Sequence, residues 1–203
     1  MKTKILFFLT ILSLVGCSKD DPIVEDPLAK LPPETQVGDN TFGCIINNQV
    51  FYPRDGTSTL FSPGSSGLIL WGDPSSPTGL GNYLEIEIRN LKDGIPCSKM
   101  LIHLQNLPQI QTGEYMWKVS NFQSSIDGLM QNYVYAKIFD VSSNSWKLYS
   151  SYENSGKIIV TKFNSIFSGN FSGKLRLRNG TDEIEIINGR FDIGPGLGDK
   201  IFP

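Results

Sequence analysis

Hydrophobic and polar residues alternate strictly in several segments of the chain, and this two-residue period is the pattern of half-buried β-strands. In residues 83–89, leucine and isoleucine fill every second position, and Glu85 and Glu87 stand between them. The same alternation recurs in 174–178, where the polar side is cationic, and in 182–186, where it is acidic. These segments predict strands with one face in a core and the other, including Glu85 and Glu87, in solvent.

Asparagine-containing turns join such segments into hairpins. Asn179-Gly180 separates the cationic from the acidic segment and is typical of a type I′ hairpin turn. Facing strands would bring the cations opposite Glu183 and Glu185, and such cross-strand pairs are stabilising. Asn47-Asn48 predicts a second hairpin, and Asn188-Gly189 predicts a further turn near the C-terminus.

The remaining strand candidates are apolar segments bounded by turn residues: 42–46, 49–52, 68–71, 99–104, 115–119, 132–141, 146–149, 157–163 and 170–177. No window of helical length carries an apolar stripe with a 3.6-residue period, and the best helical candidate is a turn or two around 124–130. This pattern predicts an all-β fold, an antiparallel β-sandwich of about ten strands or, alternatively, a β-barrel.

The first residues have a different composition, which is that of an export signal. Lys2 and Lys4 precede an apolar run over 5–15, which is too short for a permanent membrane span of about 20 residues. The sequence Leu14-Val15-Gly16-Cys17 resembles the lipobox of bacterial lipoproteins. That resemblance implies cleavage before Cys17 and a lipid on its sulfur, and two or more acyl chains anchor a protein stably. An ordinary secretory signal with a coincidental cysteine is the alternative.

A proline-rich and acidic segment follows Cys17, and it predicts a spacer rather than a folded unit. We therefore divide the chain into a signal peptide (1–16), a lipidated N-terminus with its tether (17–36) and one β-rich domain (37–203). Ser18-Lys19-Asp20-Asp21 resembles the signal that sends Bacteroidota lipoproteins to the outer face of the outer membrane. The periplasmic face is the alternative location.

The net charge of the domain argues against nucleic acid as a partner. The chain holds 18 basic and 20 acidic residues, of which the signal peptide takes two lysines and the tether two basic and five acidic residues. The domain thus carries 14 basic against 15 acidic residues, a net charge of −1. A near-neutral domain gives no electrostatic reason to expect nucleic acid as a partner.

Two cysteines remain after Cys17, and the compartment beyond the inner membrane permits a disulfide between Cys44 and Cys97. Two free thiols are the alternative, and strand parity favours it because Cys44 shares a face with apolar residues while Cys97 shares one with His103. A metal site is not expected, since His103 is the single histidine and the chain has no CxxC motif. No cofactor is predicted.

Both ends of the domain resemble a lipoprotein family of unknown function from Bacteroidota. The N-terminal similarity lies in Leu-Pro-Pro-Glu-Thr-Gln at 31–36 and Asn-Thr-Phe-Gly-Cys-Ile-Ile-Asn at 40–47. The C-terminal similarity lies in Phe-Ser-Gly-Asn-Phe-Ser-Gly at 167–173 and Asn-Gly-Arg-Phe-Asp at 188–192. The resemblance implies a secreted or surface lipoprotein with a β-rich domain, and it supplies no catalytic residues.

Candidate chemistry in the domain is sparse. Glu85 and Glu87 share a strand face about 7 Å apart, a spacing at which paired carboxylates could act as in glycosidases, although a solvated acidic face is the simpler interpretation. His103 is interpreted as a surface or satisfied residue. Asp55-Gly56 and Asp73-Pro74 could lend oxygens to calcium but have no defined ligand pattern.

Aromatic residues are the best candidates for binding. The candidates for stacking on a ligand are Trp71, Trp117, Tyr133, Tyr135 and Trp146. Exposed rings on a β-sheet can stack on sugars, whereas the alternative is that these rings fill the core. The leading hypothesis is a non-enzymatic surface module that binds a glycan, a peptide or an envelope protein. The alternatives are a hydrolase of an extracellular polymer that uses paired carboxylates and a structural subunit of the envelope.

The lipid anchor is directly testable. Because Cys17 would carry the acyl groups, Cys17→Ala should abolish incorporation of labelled palmitate and move the protein out of the membrane fraction. Cys97→Ala is the matched control and should change neither. Palmitate labelling of the Cys17→Ala variant at the wild-type level would contradict the lipoprotein interpretation.

Overall fold

The computed structural model describes residues 26–57, 64–72, 82–91, 96–106 and 111–203. Within them the chain forms eleven β-strands, three short 3-10 helices and no α-helix, which confirms the predicted all-β class. The strands are β1 (Thr41–Ile46), β2 (Gln49–Phe51), β3 (Leu68–Gly72), β4 (Tyr83–Asn90), β5 (Ser98–Gln105), β6 (Gly113–Met116), β7 (Tyr133–Asp140), β8 (Ser145–Ser150), β9 (Gly156–Phe163), β10 (Phe167–Leu177) and β11 (Glu183–Ile193). The 3-10 helices are Pro27–Lys30, Ser125–Asp127 and Leu197–Asp199.

The strands form one antiparallel sheet that curls into a half-barrel, consistent with either a sandwich or a barrel. Its order is β2-β1-β11-β10-β8-β7-β5-β4-β3. The long strand β10 pairs with β9 along its first half and with β8 at its end, and β6 pairs with β9. In the described residues no helix is long and apolar enough to cross a membrane.

Arg54, just after β2, connects one end of this strand order to β4, the strand next to its other end. Arg54 forms a parallel bridge with Asn90 at the end of β4. Its N–H donates to the carbonyl oxygen of Arg89 at 2.9 Å, and its own carbonyl accepts from the N–H of Leu91 at 3.2 Å. These bonds hold the β1–β2 hairpin against the end of β4.

One apolar core fills the concave side of the sheet. Each strand contributes alternate residues to it, as the period of two predicts, and β4 provides Leu84, Ile86 and Ile88. Trp117 is fully buried and packs beneath Gly156 and Gly173, where a Cβ would lie within 3 Å of its ring. The described residues form no α-helix, in agreement with the lack of a 3.6-residue apolar period in the sequence.

Two of the three predicted asparagine turns are confirmed. Asn47-Asn48 turns between β1 and β2 with both residues at positive φ, as a type I′ turn requires. Asn179-Gly180 lies between β10 and β11 as predicted, and the guanidinium of Arg176 contacts the Glu183 carboxylate at 2.9 Å. The predicted type I′ geometry is wrong, because five residues join these strands and only Asn179 of the pair has positive φ.

The prediction of a turn at Asn188-Gly189 is wrong. These residues lie inside β11, where Gly189 pairs with Phe171 and the register then slips by one residue before Gly173. Asn188, at φ 52°, absorbs this slip as a β-bulge. Asparagine tolerates the left-handed region in bulges as well as in turns, so its presence does not distinguish the two.

The predicted disulfide is also absent, because Cys44 and Cys97 are both free thiols. Cys44 lies on the core side of β1, where burial raises the pKa of its thiol. Cys97 precedes β5 and is half-buried, and burial also raises the pKa of its thiol.

Part of the predicted tether belongs to the folded domain. Leu31 is buried, and Pro32 packs so closely on Gly43 that a Cβ at position 43 would lie 2.7 Å from the proline ring. The guanidinium of Arg190 donates to the carbonyl oxygen of Pro32 at 3.2 Å. The folded unit thus begins before Val37, and the predicted lipid site at Cys17 lies outside the described residues.

The carboxylate of Asp192, on β11, fixes this N-terminal segment. It accepts hydrogen bonds from the hydroxyls of Thr35 and Ser168, each at 2.6 Å. Backbone N–H groups of Val37, Gly38 and Asp39 donate to it at 3.0–3.2 Å. Burial by itself would raise the pKa of Asp192, but these donors lower it to about 2.

Asp192→Asn should destabilise the protein by about 2–3 kcal/mol at neutral pH, because an amide replaces a charged acceptor with a group that carries donors. Asp182→Asn, at an exposed position, is the control and should change stability by less than about 0.5 kcal/mol. Urea unfolding of the full chain measures both.

The same measurement has a defined pH dependence. Because the folded pKa of Asp192 lies below the ordinary 3.8, its contribution is present above about pH 4 and is lost as the pH falls towards 2. The difference between the wild type and Asp192→Asn should therefore shrink over this interval. A difference that stays constant down to pH 2 would refute the role given to the ionised carboxylate.

Candidate functional site

Glu85 and Glu87 do not form the solvated face that the sequence predicts. Both point away from the core, yet they are only 1% and 6% exposed. A row of aligned residues crosses this outer face from Trp71 on β3 through Glu85 and His103 to Tyr133 on β7. The outer face is therefore a second buried layer of the sheet.

The segment 120–131, between β6 and β7, covers this layer and explains the burial. Its 3-10 helix begins at Ser125, whose N–H donates to Glu85 Oε1 at 2.7 Å. The Tyr133 hydroxyl donates to the carbonyl oxygen of Gln123 at 3.0 Å, and Phe122 packs on Tyr135. The predicted helical turn around 124–130 is thus confirmed, and it acts as a cover.

His103 is fully engaged beneath this cover. Its Nδ1 lies 2.8 Å from Glu85 Oε1, and its Nε2 lies 3.1 Å from Gln105 Oε1. The Gln105 amide nitrogen donates to the carbonyl of Asn82 at 3.0 Å, which orients its oxygen towards the histidine. Both ring nitrogens thus have a polar partner within hydrogen-bond distance. The ring also stacks on Tyr133 at 4.4 Å.

Glu87 is held by cations at the open side of the same face. Arg89 Nε lies 2.6 Å and Lys99 Nζ 2.8 Å from its Oε1, and the Trp71 indole N–H donates to its other oxygen at 3.2 Å. Burial raises the pKa of Glu87, but Lys99 and Arg89 outweigh it and the pKa is lowered. With Glu85 covered and Glu87 neutralised, these two carboxylates form no open cleft of the kind a glycosidase uses.

The predicted stacking residues separate into two groups. Trp117, Tyr133 and Tyr135 are buried and cannot contact a ligand, while Trp71 and Trp146 are 47% and 39% exposed. The ammonium of Lys137 lies 4.3 Å from the centre of the Trp146 ring, and Phe139 meets the same ring edge-on. Trp146 therefore offers no bare platform for a sugar.

The calcium hypothesis finds no support at Asp55. One oxygen of its carboxylate accepts from the N–H of Gly67 at 2.6 Å and the other from the N–H of Phe202 at 2.9 Å. Asp73-Pro74 lies outside the described residues. Among those described, no three histidine, cysteine or acidic residues are grouped so that they could hold a metal ion.

A cleft of about 680 Å³ opens at one end of the half-barrel, between the β1–β2 and β7–β8 hairpins. Its apolar floor consists of core residues at the end of the barrel, namely Ile46, Phe51, Ile138, Tyr149 and Ile184. Its rim is polar and includes Gln49, Arg54, Asn90, Asp140 and Lys147. A concave apolar site of this volume with a few polar groups at its edge is typical of a ligand pocket.

Arg54 forms one side of the cleft and is incompletely satisfied. Its guanidinium lies 4.8 Å from the centre of the Tyr52 ring and donates to the Tyr52 hydroxyl. Its Nε is buried without an acceptor, and among the described residues Arg54 has no carboxylate partner. A buried guanidinium N–H without an acceptor is unusual in a folded protein.

The opposite side of the cleft is internally neutral. Lys147 Nζ lies 2.7 Å from Asp140 Oδ2, and the hydroxyls of Ser142 and Ser143 donate to the same carboxylate. Lys147 and these serines hold the pKa of Asp140 well below its usual range. Arg54 is consequently the one uncompensated charge in the described lining of the cleft.

A second groove, of about 730 Å³, runs along the β10–β11 turn, but it is shallow and open to solvent on most sides. The guanidinium of Arg176 packs on Tyr152, and that of Arg178 packs on Phe122. This groove has no buried apolar floor comparable to that of the cleft, so we regard the cleft as the candidate site.

Sequence reasoning missed the cleft because its lining comes from β1, β2, β7, β8 and β11 and from the ends of β4 and β5. The one local signal was Arg54, a cation beside Tyr52 directly after a strand. That signal is weak, since an arginine at such a position is ordinarily solvated.

The buried network on the outer face should be essential to stability. Glu85→Gln should cost about 1–3 kcal/mol, because the amide removes the charge that faces His103 and replaces one acceptor with a donor. Glu185→Gln, on an exposed strand position, should change stability by less than about 0.5 kcal/mol. Urea unfolding measures both, and faster proteolysis within 120–131 should accompany the loss in Glu85→Gln. Equal stability of the two variants would show that the network contributes nothing.

Comparison with known proteins adds no relative to this description. No protein-family model, no curated protein and no solved structure matches the chain.

Proposed function

We propose that this chain is a lipid-anchored surface protein whose half-barrel binds a ligand without transforming it. The lipobox at Cys17, the acidic residues after it and the resemblance at both ends of the domain support a location at the outer face of the outer membrane. We accordingly propose that the chain belongs to the Bacteroidota lipoprotein family it resembles. Its partners would be the membrane, through the anchor, and a ligand at the cleft.

The cleft at the end of the half-barrel carries the proposal. It is preformed, its floor is apolar, and the one uncompensated charge of its described lining lies at the rim. Ligand sites in β-proteins commonly occupy the mouth of a barrel. The glycan, peptide or envelope protein expected from the sequence would insert an apolar group here, in preference to stacking on the tryptophans of the outer face.

The burial and pairing of the carboxylates Glu85, Glu87 and Asp140 favour binding without catalysis. Glu85 and Glu87 are covered or paired with cations, and Asp140 at the cleft is held by Lys147. A general acid needs a carboxyl group that can exchange a proton with its substrate, and none of these three is placed to do so.

A blocking substitution tests the cleft. Gln49→Trp places a large side chain at the rim on an exposed strand position, so it should obstruct the cleft and leave the core intact. The mature lipidated protein in nanodiscs would be screened against glycan arrays and a small-molecule fragment library. Ligands of the cleft should bind Gln49→Trp at least about tenfold more weakly than the wild type.

Lys174→Trp is the matched control, because it adds the same side chain at an exposed position of β10 away from the cleft. It should bind every ligand as the wild type does. Ligands whose affinity is equal in all three proteins would place binding elsewhere. The absence of any ligand in both screens would leave the binding role unsupported and count against it.

A further inference from the structure

We infer that the cleft binds a carboxylate attached to an apolar body, with Arg54 as the contact for the anion. This inference rests on the binding role proposed above and adds the chemical class of the ligand. Three features of the cleft lead to it: the unsatisfied guanidinium, the neutralised opposite rim and the apolar floor.

The first feature is the missing acceptor at Arg54 Nε. Leaving a buried N–H without a partner costs about 1–3 kcal/mol, and more for a charged group. Among the described residues the guanidinium has only the Tyr52 hydroxyl and ring as side-chain partners. The Nε itself has no accessible surface, so a ligand would contact the terminal N–H groups of Arg54, which lines the cleft. The charge of this guanidinium has no carboxylate partner among the described residues, and an anionic oxygen is its most effective acceptor.

The position of Arg54 also favours recognition. Its backbone is bonded on both sides to β4, through the carbonyl of Arg89 and the N–H of Leu91. Stacking on Tyr52 then restricts the side chain, so little further conformational entropy is lost when a ligand binds. The guanidinium is therefore held ready at the edge of an apolar floor.

The remaining charges of the cleft decide where an anion binds. On the opposite rim Lys147 is already paired with Asp140, so that side offers no free cation to a carboxylate. Within the part of the rim that the structure describes, the other polar groups, including those of Asn47, Gln49 and Asn90, are uncharged. One unpaired guanidinium matches one negative charge, which favours a carboxylate over a doubly charged phosphate.

The floor defines the rest of the ligand. Phe51, Tyr149 and Ile184 present apolar surface at the bottom of the cleft. A volume of about 680 Å³ accommodates a body larger than a simple organic acid. An aliphatic carboxylic acid and a peptide with an apolar C-terminal residue both have this chemistry, and the experiment separates these two sources.

Two acid–amide pairs test the inference on the mature lipidated protein in nanodiscs. Octanoate is compared with octanamide, and N-acetyl-leucyl-leucine with its C-terminal amide, by isothermal titration calorimetry. Protein-free nanodiscs correct for partition of the probes into lipid. Each pair differs in charge and little in shape, and we expect at least one acid to bind about tenfold more tightly than its amide. The pair that shows this preference identifies the source of the carboxylate.

Arg54→Met removes the guanidinium and retains an apolar side chain over Tyr52. It should bind the acid as weakly as the amide, a loss of about tenfold or more. Arg178→Met is the matched control, because Arg178 also stacks on an aromatic ring, that of Phe122, but lies at the other groove. The control should keep the preference for the acid.

Arg54→Lys and the thermal unfolding midpoint distinguish a loss of binding from a loss of folding. If Arg54→Met unfolds, Arg54→Lys retains the charge and should retain part of the preference, since it lacks the Nε–H and the planar fork. Equal affinity for acid and amide in the wild type, or a preference that survives in Arg54→Met, would overturn the inference.

Either of those results would leave the binding role intact if Gln49→Trp still weakens the probes. If neither probe pair binds while another ligand is lost in Gln49→Trp, the inference fails and the proposed function stands. If no ligand of any class depends on the cleft, both fail.

Discussion

The buried carboxylate of Asp192 organises the part of the molecule where the chain enters the fold. Five donors from Thr35, Ser168 and the backbone of 37–39 converge on two oxygens, so every lone pair of an ionised aspartate is used. No other residue type offers two equivalent anionic oxygens on so short a side chain. The same end of the molecule holds the packing of Pro32 on Gly43 and the pairing of Thr41 on β1 with Asp192 on β11.

The same sheet supports two different kinds of burial. On the concave side apolar side chains exclude water, whereas on the convex side Glu85, His103 and Gln105 form a polar layer under the segment 120–131. A polar layer of this kind is stable only when its groups are paired, and Ser125 and Asn82 complete the pairing. The cleft differs from both layers, because it is open and the charge of Arg54 in its described lining has no carboxylate partner.

The alternation of residues predicted the strands because side-chain direction in a strand is a local property. The alternation assigned Glu85 and Glu87 to the correct face of the sheet. It wrongly predicted that this face is exposed to solvent, because the segment that covers the face lies about 40 residues away in the chain. The Asn188-Gly189 bulge and the absence of a Cys44–Cys97 disulfide depend on register and on distances across the sheet, which no local pattern records. The cleft was unpredictable for the same reason, because five strands and two further strand ends contribute to it.

The docking of Leu31–Gln36 has a mechanical consequence. If the lipid is on Cys17, the leash between it and the 3-10 helix at Pro27–Lys30 is no longer than residues 18–26, and nine residues extend to at most about 32 Å. Tension on this leash would reach the domain through Asp192, on a strand flanked by β1 and β10 in the middle of the sheet. Drag on a captured ligand would thus be resisted by bonds to an interior strand of the sheet.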